Sequence, residues 1–175
     1  MIDIDSFRPF VFSYLFRFKY FFQAVDGLPV YIGSLAFGCF WSPQDFFSRI
    51  KGVTKTVVGY SGGDKPNPTY HHLGNHTETI EITFDPKKVS YEKLLTHFFS
   101  QHDTTATRPR QYKSIIFYHD EEQKELAEQA LAFHPEAKTK IRKALTFYPA
   151  EEYHQHYHEK QRRHPLRHLV KQFGI

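Results

Sequence analysis

Cysteine, methionine and tryptophan each occur only once in this chain of 175 residues. A single cysteine excludes an internal disulfide, so we expect a reducing compartment, the cytoplasm. No apolar run reaches membrane-spanning length, because Arg17 and Lys19 interrupt the N-terminal aromatic stretch, and the features of a secretory signal are poor. The sequence also lacks an internal repeat, a phosphate-binding glycine loop and a helix-turn-helix signature.

The amino-acid composition predicts a globular protein, because 40% of the residues are hydrophobic and 17% are aromatic. The length favours one domain, which we place at residues 28–175. Residues 1–27 are interpreted as an extension, in which alternating aromatic residues suit a strand; an added edge strand, a loosely attached segment and a misplaced start codon all stay open. The net charge of +4 is mild, so we expect no nucleic-acid partner. We also expect a monomer with no membrane partner.

The single cysteine and the single tryptophan are two positions apart in "FGCFWSP". The preceding residues predict a strand that ends at a glycine, and "SPQDFFSRI" predicts a helix capped by Ser42 with Pro43 in its first turn. Cys39 then lies just before a helix N-terminus, where free amides and the helix dipole lower the pKa of a thiol. Cys39 is therefore a candidate nucleophile; a small buried hydrophobic role is the alternative.

A carboxyl group is predicted to face the core from the segment "TETIEITFDP". In a strand, Glu78 shares a face with Ile80 and Ile82, whereas the threonines occupy the other face. Loss of water would favour the protonated form of Glu78 and suit it to donate a proton near neutral pH. A strand-end glutamate turned to solvent is the alternative.

The remaining pattern predicts a helix capped by Ser90, a strand from about Tyr112, a charged helix, a further strand and a final helix over "PAEEYHQHYHEKQ". His154 and His158 would share a face of that last helix, which raises the question of a metal site. Because no cysteine or aspartate stands at ligand spacing, we interpret this segment as a solvated histidine-rich helix and predict no metal.

Six segments together resemble the peptide methionine sulfoxide reductase A family, over roughly residues 30–160. In chain order they are "GCFWSPQDFF", "VVGYSGGDKPNPTY", "HTETIEITFDP", "SYEKLL", "QYKSIIFYHDEEQ" and "FYPAEEYHQHYHEK". The resemblance implies an α+β fold, a two-layer sandwich with a ferredoxin-like mixed sheet. It also implies thiol-dependent reduction of methionine S-sulfoxide, free or in proteins, through a sulfenic acid on Cys39.

The resemblance further assigns roles to six positions. Cys39 is the nucleophile, Glu78 is the acid, and Tyr70 and Tyr112 donate hydrogen bonds. Phe40 and Trp41 form a pocket for the substrate methyl group. No cofactor is implied beyond an external thiol reductant such as thioredoxin, glutaredoxin with glutathione, or dithiothreitol.

This chain departs from the family pattern at several positions. Gln44 stands where many relatives have a glutamate, and Asn75 stands where they have a glycine. The loop of residues 104–110 is short and lacks an aspartate, so Arg108 or Arg110 is the candidate to replace it in binding substrate. Resolving cysteines are absent, which predicts the one-cysteine type.

Two other functions stay open from the sequence. A one-cysteine protein that reduces peroxide or senses oxidants would share Cys39 but would have no use for an aromatic methyl pocket. A basic, aromatic nucleic-acid-binding module is the alternative without catalysis, and its binding would weaken steeply with salt.

Overall fold

The computed structural model describes residues 22–23 and 29–163 of the chain. These residues form seven strands and four α-helices. The strands are β1 (Phe22–Gln23), β2 (Pro29–Phe37), β3 (Val53–Ser61), β4 (Thr77–Phe84), β5 (Ser114–Tyr118), β6 (Lys140–Lys143) and β7 (Tyr148–Pro149). The helices are α1 (Trp41–Phe47), α2 (Tyr91–Ser100), α3 (Glu121–Ala132) and α4 (Tyr157–Arg163), and a 3-10 turn covers Arg110–Tyr112.

Six of these strands form one mixed sheet in the order β6-β5-β2-β4-β3-β7, and β1 pairs with the start of β2. Only β5 and β6 run parallel; the other pairs are antiparallel. The run β2-α1-β3-β4-α2-β5, with β5-β2-β4-β3 as spatial order, is the ferredoxin-like arrangement. The predicted α+β fold is confirmed.

Strand parity and helix periodicity explain how the layers pack. Alternate residues of the central strands face α1 and α2 and form one continuous core, to which Leu35, Val58, Ile80, Leu94 and Phe98 belong. These side chains are completely buried, which is the main stabilising contribution of the fold. A smaller cluster of Ala36, Ile115 and Phe117 covers the opposite face.

Several local predictions are corrected by the structure. Helix α1 begins at Trp41 without a side-chain cap, so Ser42 lies inside the helix and does not cap it. Tyr112 ends the 3-10 turn, and β5 begins two residues later. The final helix starts only at Tyr157, so His154 lies before it and the two histidines do not share a helical face. Ser90 does cap α2, as predicted, by accepting a hydrogen bond from the amide of Lys93.

Among the described residues, no helix has the length and apolar character needed to cross a bilayer. The predicted aromatic strand of the N-terminal extension falls outside the described residues except for Phe22 and Gln23. The boundary between residues 27 and 28 stays a prediction.

Removing residues 1–27 is expected to leave the rate of the chemical step within about twofold. The truncation deletes the pairing of β1 with the start of β2, whereas Cys39 follows the other end of β2. Single-turnover rates of the full chain and of the truncated chain measure the effect, with circular dichroism as the control for folding. A folded truncation that has lost activity by orders of magnitude would show that the extension contributes to the site.

Candidate active site

The sheet order brings the predicted site residues to one edge. Strands β4 and β5 flank β2 and run antiparallel to it, so their first residues lie beside the last residues of β2. Cys39 follows β2, Glu78 is the second residue of β4, and Tyr112 precedes β5. Tyr70 comes from the long loop ahead of β4. The strand order therefore brings residues that are distant in the sequence to the same edge of the sheet.

The chain turns sharply between β2 and α1 to present the thiol. Gly38 has φ of 100°, a left-handed conformation in which a side chain would be strained. The turn leaves Cys39 exposed two residues before the start of α1. The only thiol of the chain is thus accessible to a substrate.

The electrostatic surroundings of Cys39 differ from the prediction. Partial loss of hydration around the thiol raises its pKa, a hydrogen bond from the Trp41 backbone amide opposes this, and the nearby Glu78 charge adds to the rise. The predicted lowering of the Cys39 pKa by the helix N-terminus is therefore wrong: the amide contributes as expected, but burial outweighs it.

Glu78 lies deep in the protein, with 2% of its surface exposed. Its Oε2 accepts a hydrogen bond of 3.2 Å from the backbone amide of Phe40, and its Oε1 accepts one of 2.8 Å from the Gln111 side-chain amide. Burial raises the pKa of Glu78, and these two hydrogen bonds oppose the rise only in part. The predicted burial of this carboxyl group is confirmed, and the carboxyl is held through the residue next to Cys39.

Two phenols complete the polar part of the site. The side chains of Tyr70 and Tyr112 are hydrogen-bonded to each other, and this bond is the largest cause of a raised Tyr112 pKa, followed by burial and by the charges of Glu78 and Cys39. Tyr112 consequently stays protonated and can donate a hydrogen bond. The backbone amide of Tyr70 donates to Glu151, whose other oxygen accepts from the Tyr60 hydroxyl.

The aromatic wall beside Cys39 contains more than the two predicted rings. Phe40 is 2% exposed and packs in the core, so Trp41, which is partly exposed, is the ring open to a ligand. Tyr157 stacks on Trp41 with ring centres 3.9 Å apart and planes 12° apart. The Trp41 indole donates a 3.2 Å hydrogen bond to Nδ1 of His154, which is buried and lies 5.3 Å from the Phe40 ring.

Sequence reasoning missed four residues of this arrangement: Gln111, Glu151, His154 and Tyr157. A glutamine or glutamate without a partner at fixed spacing has no signature that could have identified it. The histidine and tyrosine lie in the segment interpreted as a solvated helix; its unusual density of aromatic rings and imidazoles was the available signal. Burial lowers the pKa of His154, so its ring accepts the indole hydrogen bond in neutral form.

Gln44 connects the wall to helix α1. It is completely buried, its Oε1 accepts from the His156 amide at 2.7 Å, and its Nε2 donates to the Thr56 carbonyl at 3.3 Å. The segment that carries His154 and Tyr157 is thereby tied to α1. Among the described residues, no group of three histidine, cysteine or carboxylate side chains could hold a metal ion.

The geometry combines an accessible thiol, a buried carboxylic acid and two phenols next to an apolar wall. A thiol can take an oxygen atom from an oxygen donor only if that oxygen receives a proton or strong hydrogen bonds. The acid is placed to supply the proton and the phenols to supply the hydrogen bonds. Fold and site together define a thiol-based oxidoreductase.

A family model described as peptide methionine sulfoxide reductase matches residues 32–174. The chain belongs to this family and is an oxidoreductase that acts on methionine sulfoxide.

Named relatives and solved structures agree with this assignment. The chain is 38% identical to peptide methionine sulfoxide reductase MsrA of Sulfolobus acidocaldarius, over 79% of this chain and 88% of the relative. It is 43% identical to MsrA of Listeria monocytogenes over 75% and 84%, respectively. The peptide methionine sulfoxide reductase of Drosophila melanogaster is also 43% identical, over 69% of this chain; the chain spans about half of that relative, 52%.

Two solved structures share the fold over most of the chain. Reduced Mxr1 of Saccharomyces cerevisiae has a TM-score of 0.69 at 25% identity and covers 76% of this chain and 86% of its own. Methionine sulfoxide reductase A of Corynebacterium diphtheriae has a TM-score of 0.65 at 28% identity, with 80% and 81% covered.

Proposed function

We propose that this protein reduces the S epimer of methionine sulfoxide to methionine, with Cys39 as nucleophile and Glu78 as acid. The observation that carries the proposal is the hydrogen bond between Glu78 and the Phe40 amide, which fixes a buried acid next to the nucleophile. A thiol and an acid held together in this way suit attack on sulfur coupled to protonation of oxygen.

The first step forms a bond between Cys39 Sγ and the sulfoxide sulfur. As the sulfoxide oxygen gains electron density, it takes a proton from Glu78 and hydrogen bonds from Tyr70 and Tyr112. The sulfur–oxygen bond of the substrate then breaks and the hydroxyl group passes to Sγ. Methionine leaves reduced by two electrons, and Cys39 is oxidised to the sulfenic acid.

The proton balance of the site explains how a thiol of raised pKa can react. Proton transfer from Cys39 to an ionised Glu78 yields a thiolate and a neutral acid, without a change in the total charge of the site. Because Glu78 raises the Cys39 pKa, the two groups titrate as a coupled pair. We expect a rate that increases as the pair loses its first proton, passes through a maximum while Cys39 and Glu78 share one proton, and declines as the pair loses the second.

The apolar wall leads us to expect that a dialkyl sulfoxide reacts in preference to hydrogen peroxide. The stacked rings of Trp41 and Tyr157 offer a surface for a methyl group beside the thiol, and peroxide has no such group. Phe40 supports this wall from the core.

External thiols complete the cycle in this proposal. Cys39 is the only cysteine of the chain, so a second thiol must come from another molecule. A solved structure of the fold neighbour Mxr1 is in complex with Trx2, which supports a protein reductant of the thioredoxin type. Glutathione with glutaredoxin is the alternative. Localisation in the cytoplasm and the monomeric state stay predictions.

Separated epimers of N-acetyl-methionine sulfoxide test the proposed activity. With dithiothreitol as reductant, we expect the S epimer to be reduced at least about a hundredfold faster than the R epimer, because only one epimer can direct its methyl group to the wall and its oxygen to the acid. Methionine derivative formed is measured by chromatography. Comparable rates for both epimers, or consumption of hydrogen peroxide in preference to either, would contradict the proposal.

A further inference from the structure

The short loop before β5 contains two arginines with different environments. Arg110 donates a 3.1 Å hydrogen bond from Nη2 to the carbonyl of Gly62 and so holds the loop against the end of β3. Arg108 has no carboxylate at ion-pair distance among the described residues. Its Nε is buried and has no hydrogen-bond partner there, which is also true of the Arg110 Nε, but Arg108 lacks the backbone hydrogen bond that holds Arg110. A guanidinium that is partly buried without a counter-ion is costly unless a ligand uses it.

Arg108 lies directly against the turn that presents the nucleophile. A β-carbon placed on Gly38 would be 3.6 Å from Nη1 of Arg108 and 3.7 Å from the carbonyl oxygen of Tyr112. The guanidinium therefore packs against the residue that precedes Cys39. A positive charge at this position is within reach of groups on a substrate whose sulfur meets Sγ.

The titratable groups nearest to Arg108 form no ion pair with it at contact distance. Burial lowers the pKa of His102 to about 4, with the Arg108 charge as a contributing cause, so this imidazole is neutral. Asp103 is exposed, and its Oδ1 accepts hydrogen bonds from the amide and hydroxyl of Thr105. These bonds are the main causes of its lowered pKa, and the Arg108 charge is a smaller one. Glu78 is bound by the Gln111 amide and the Phe40 backbone. The planar guanidinium stays free to bind an anion, and its geometry matches a carboxylate.

We propose that Arg108 forms a carboxylate subsite next to Cys39, through which the protein takes free methionine sulfoxide or a C-terminal methionine sulfoxide in preference to an internal one. The inference rests on the proposed function. In methionine only a short carbon chain separates the sulfur from the α-carboxylate, so both can be bound at one edge of the sheet. In an internal residue an amide replaces the carboxylate, so the positive charge of Arg108 has no anionic group of the substrate to bind.

The test compares N-acetyl-methionine S-sulfoxide with its carboxamide, two substrates that differ only in the carboxylate. Single-turnover reduction without any thiol is followed at increasing substrate concentration for the wild-type chain and for Arg108→Gln. We expect the apparent affinity for the acid to fall about tenfold in the variant, and that for the amide by less than twofold. Lys51→Gln removes one positive charge at the opposite end of the sheet. It should leave the ratio of the apparent affinities for the acid and for the amide unchanged.

The same preference is measurable in the wild-type chain alone. Raising the ionic strength should weaken the apparent affinity for the acid and leave that for the amide unchanged, because only the acid pairs with a partly exposed charge. Equal effects of Arg108→Gln on both substrates, or no effect on either, would overturn the subsite. An effect confined to recycling by glutathione would overturn it as well, because the carboxylate would then belong to the reductant. Inactivity of the wild-type chain on both substrates would instead overturn the proposed function and, with it, this inference.

Discussion

Replacing Glu78 with glutamine is expected to lower the single-turnover rate of sulfoxide reduction by roughly two to four orders of magnitude, the loss typical of a general acid. Glutamine keeps the size of the side chain and can still accept the hydrogen bond from the Phe40 amide. It cannot supply a transferable proton. Substrate affinity should change much less than the rate, because the carboxyl contributes chiefly when the oxygen becomes basic.

A second property should change in the same variant, in the opposite sense. The Glu78 charge is one cause of the raised Cys39 pKa, so its removal should lower that pKa relative to the wild-type chain. The rate of alkylation of Cys39 by iodoacetamide, measured against pH, reports the change. Glu78→Gln would thus have a more easily ionised thiol and a slower reaction with sulfoxide. Because unfolding would also relieve the burial of Cys39 and abolish the reaction, circular dichroism has to show that the variant is folded.

Glu81 provides the matched control on the same strand. It lies three residues further along β4, so its side chain points to the other face of the sheet, and its pKa is also raised by burial. Glu81→Gln should retain the wild-type rate within about twofold. The role of Glu78 would be excluded if Glu78→Gln kept a near-normal rate at neutral pH; Tyr70 and Tyr112 would then have to activate the oxygen alone.

Without added thiol, each molecule is expected to release about one methionine and then stop. Reduction of one sulfoxide converts the Cys39 thiol to a sulfenic acid. Regeneration requires a thiol that displaces the hydroxyl as water and forms a disulfide, and the chain has no second cysteine. With dithiothreitol, turnover should become continuous.

Rapid-quench measurement of methionine per protein molecule tests this stoichiometry, and a dimedone adduct detected by mass spectrometry identifies the oxidised residue. Cys39→Ser should release no methionine, because a serine hydroxyl is a much weaker nucleophile and cannot store the oxygen. Multiple turnovers without thiol, or an adduct on a residue other than Cys39, would show that another oxidation cycle operates.

The sequence predicted most of the elements and the candidate residues of the site, but not all their bounds or partners. The alternation of apolar residues along β4 predicted that Glu78 faces the core, because strand parity depends only on local geometry. The position of Cys39 between a strand and a helix was likewise predicted from local signals, the glycine that ends the strand and the proline in the first turn of the helix. The six segments in register indicated the family to which the chain belongs.

The partners of these residues required the tertiary structure. Gln111, Glu151 and His154 reach Glu78, Tyr70 and Trp41 across separations of 33, 81 and 113 residues, respectively. Pairings of this kind follow from the sheet order, in which β5 and β4 enclose β2, and no local pattern encodes that order. For the same reason the sequence could not decide which arginine of the loop is pinned to the backbone and which is free.

The direction of the Cys39 pKa shift shows most clearly what the sequence determined and what the tertiary structure decided. The sequence determined that a helix begins beside the thiol, and the Trp41 amide does favour the thiolate as that position predicts. Whether the pKa falls or rises depends on how many atoms displace water from the sulfur and on which charge lies nearest. Both are set by the packing of β4 and the loop before β5 against the end of β2, because desolvation and Coulomb interaction act through space and not along the chain.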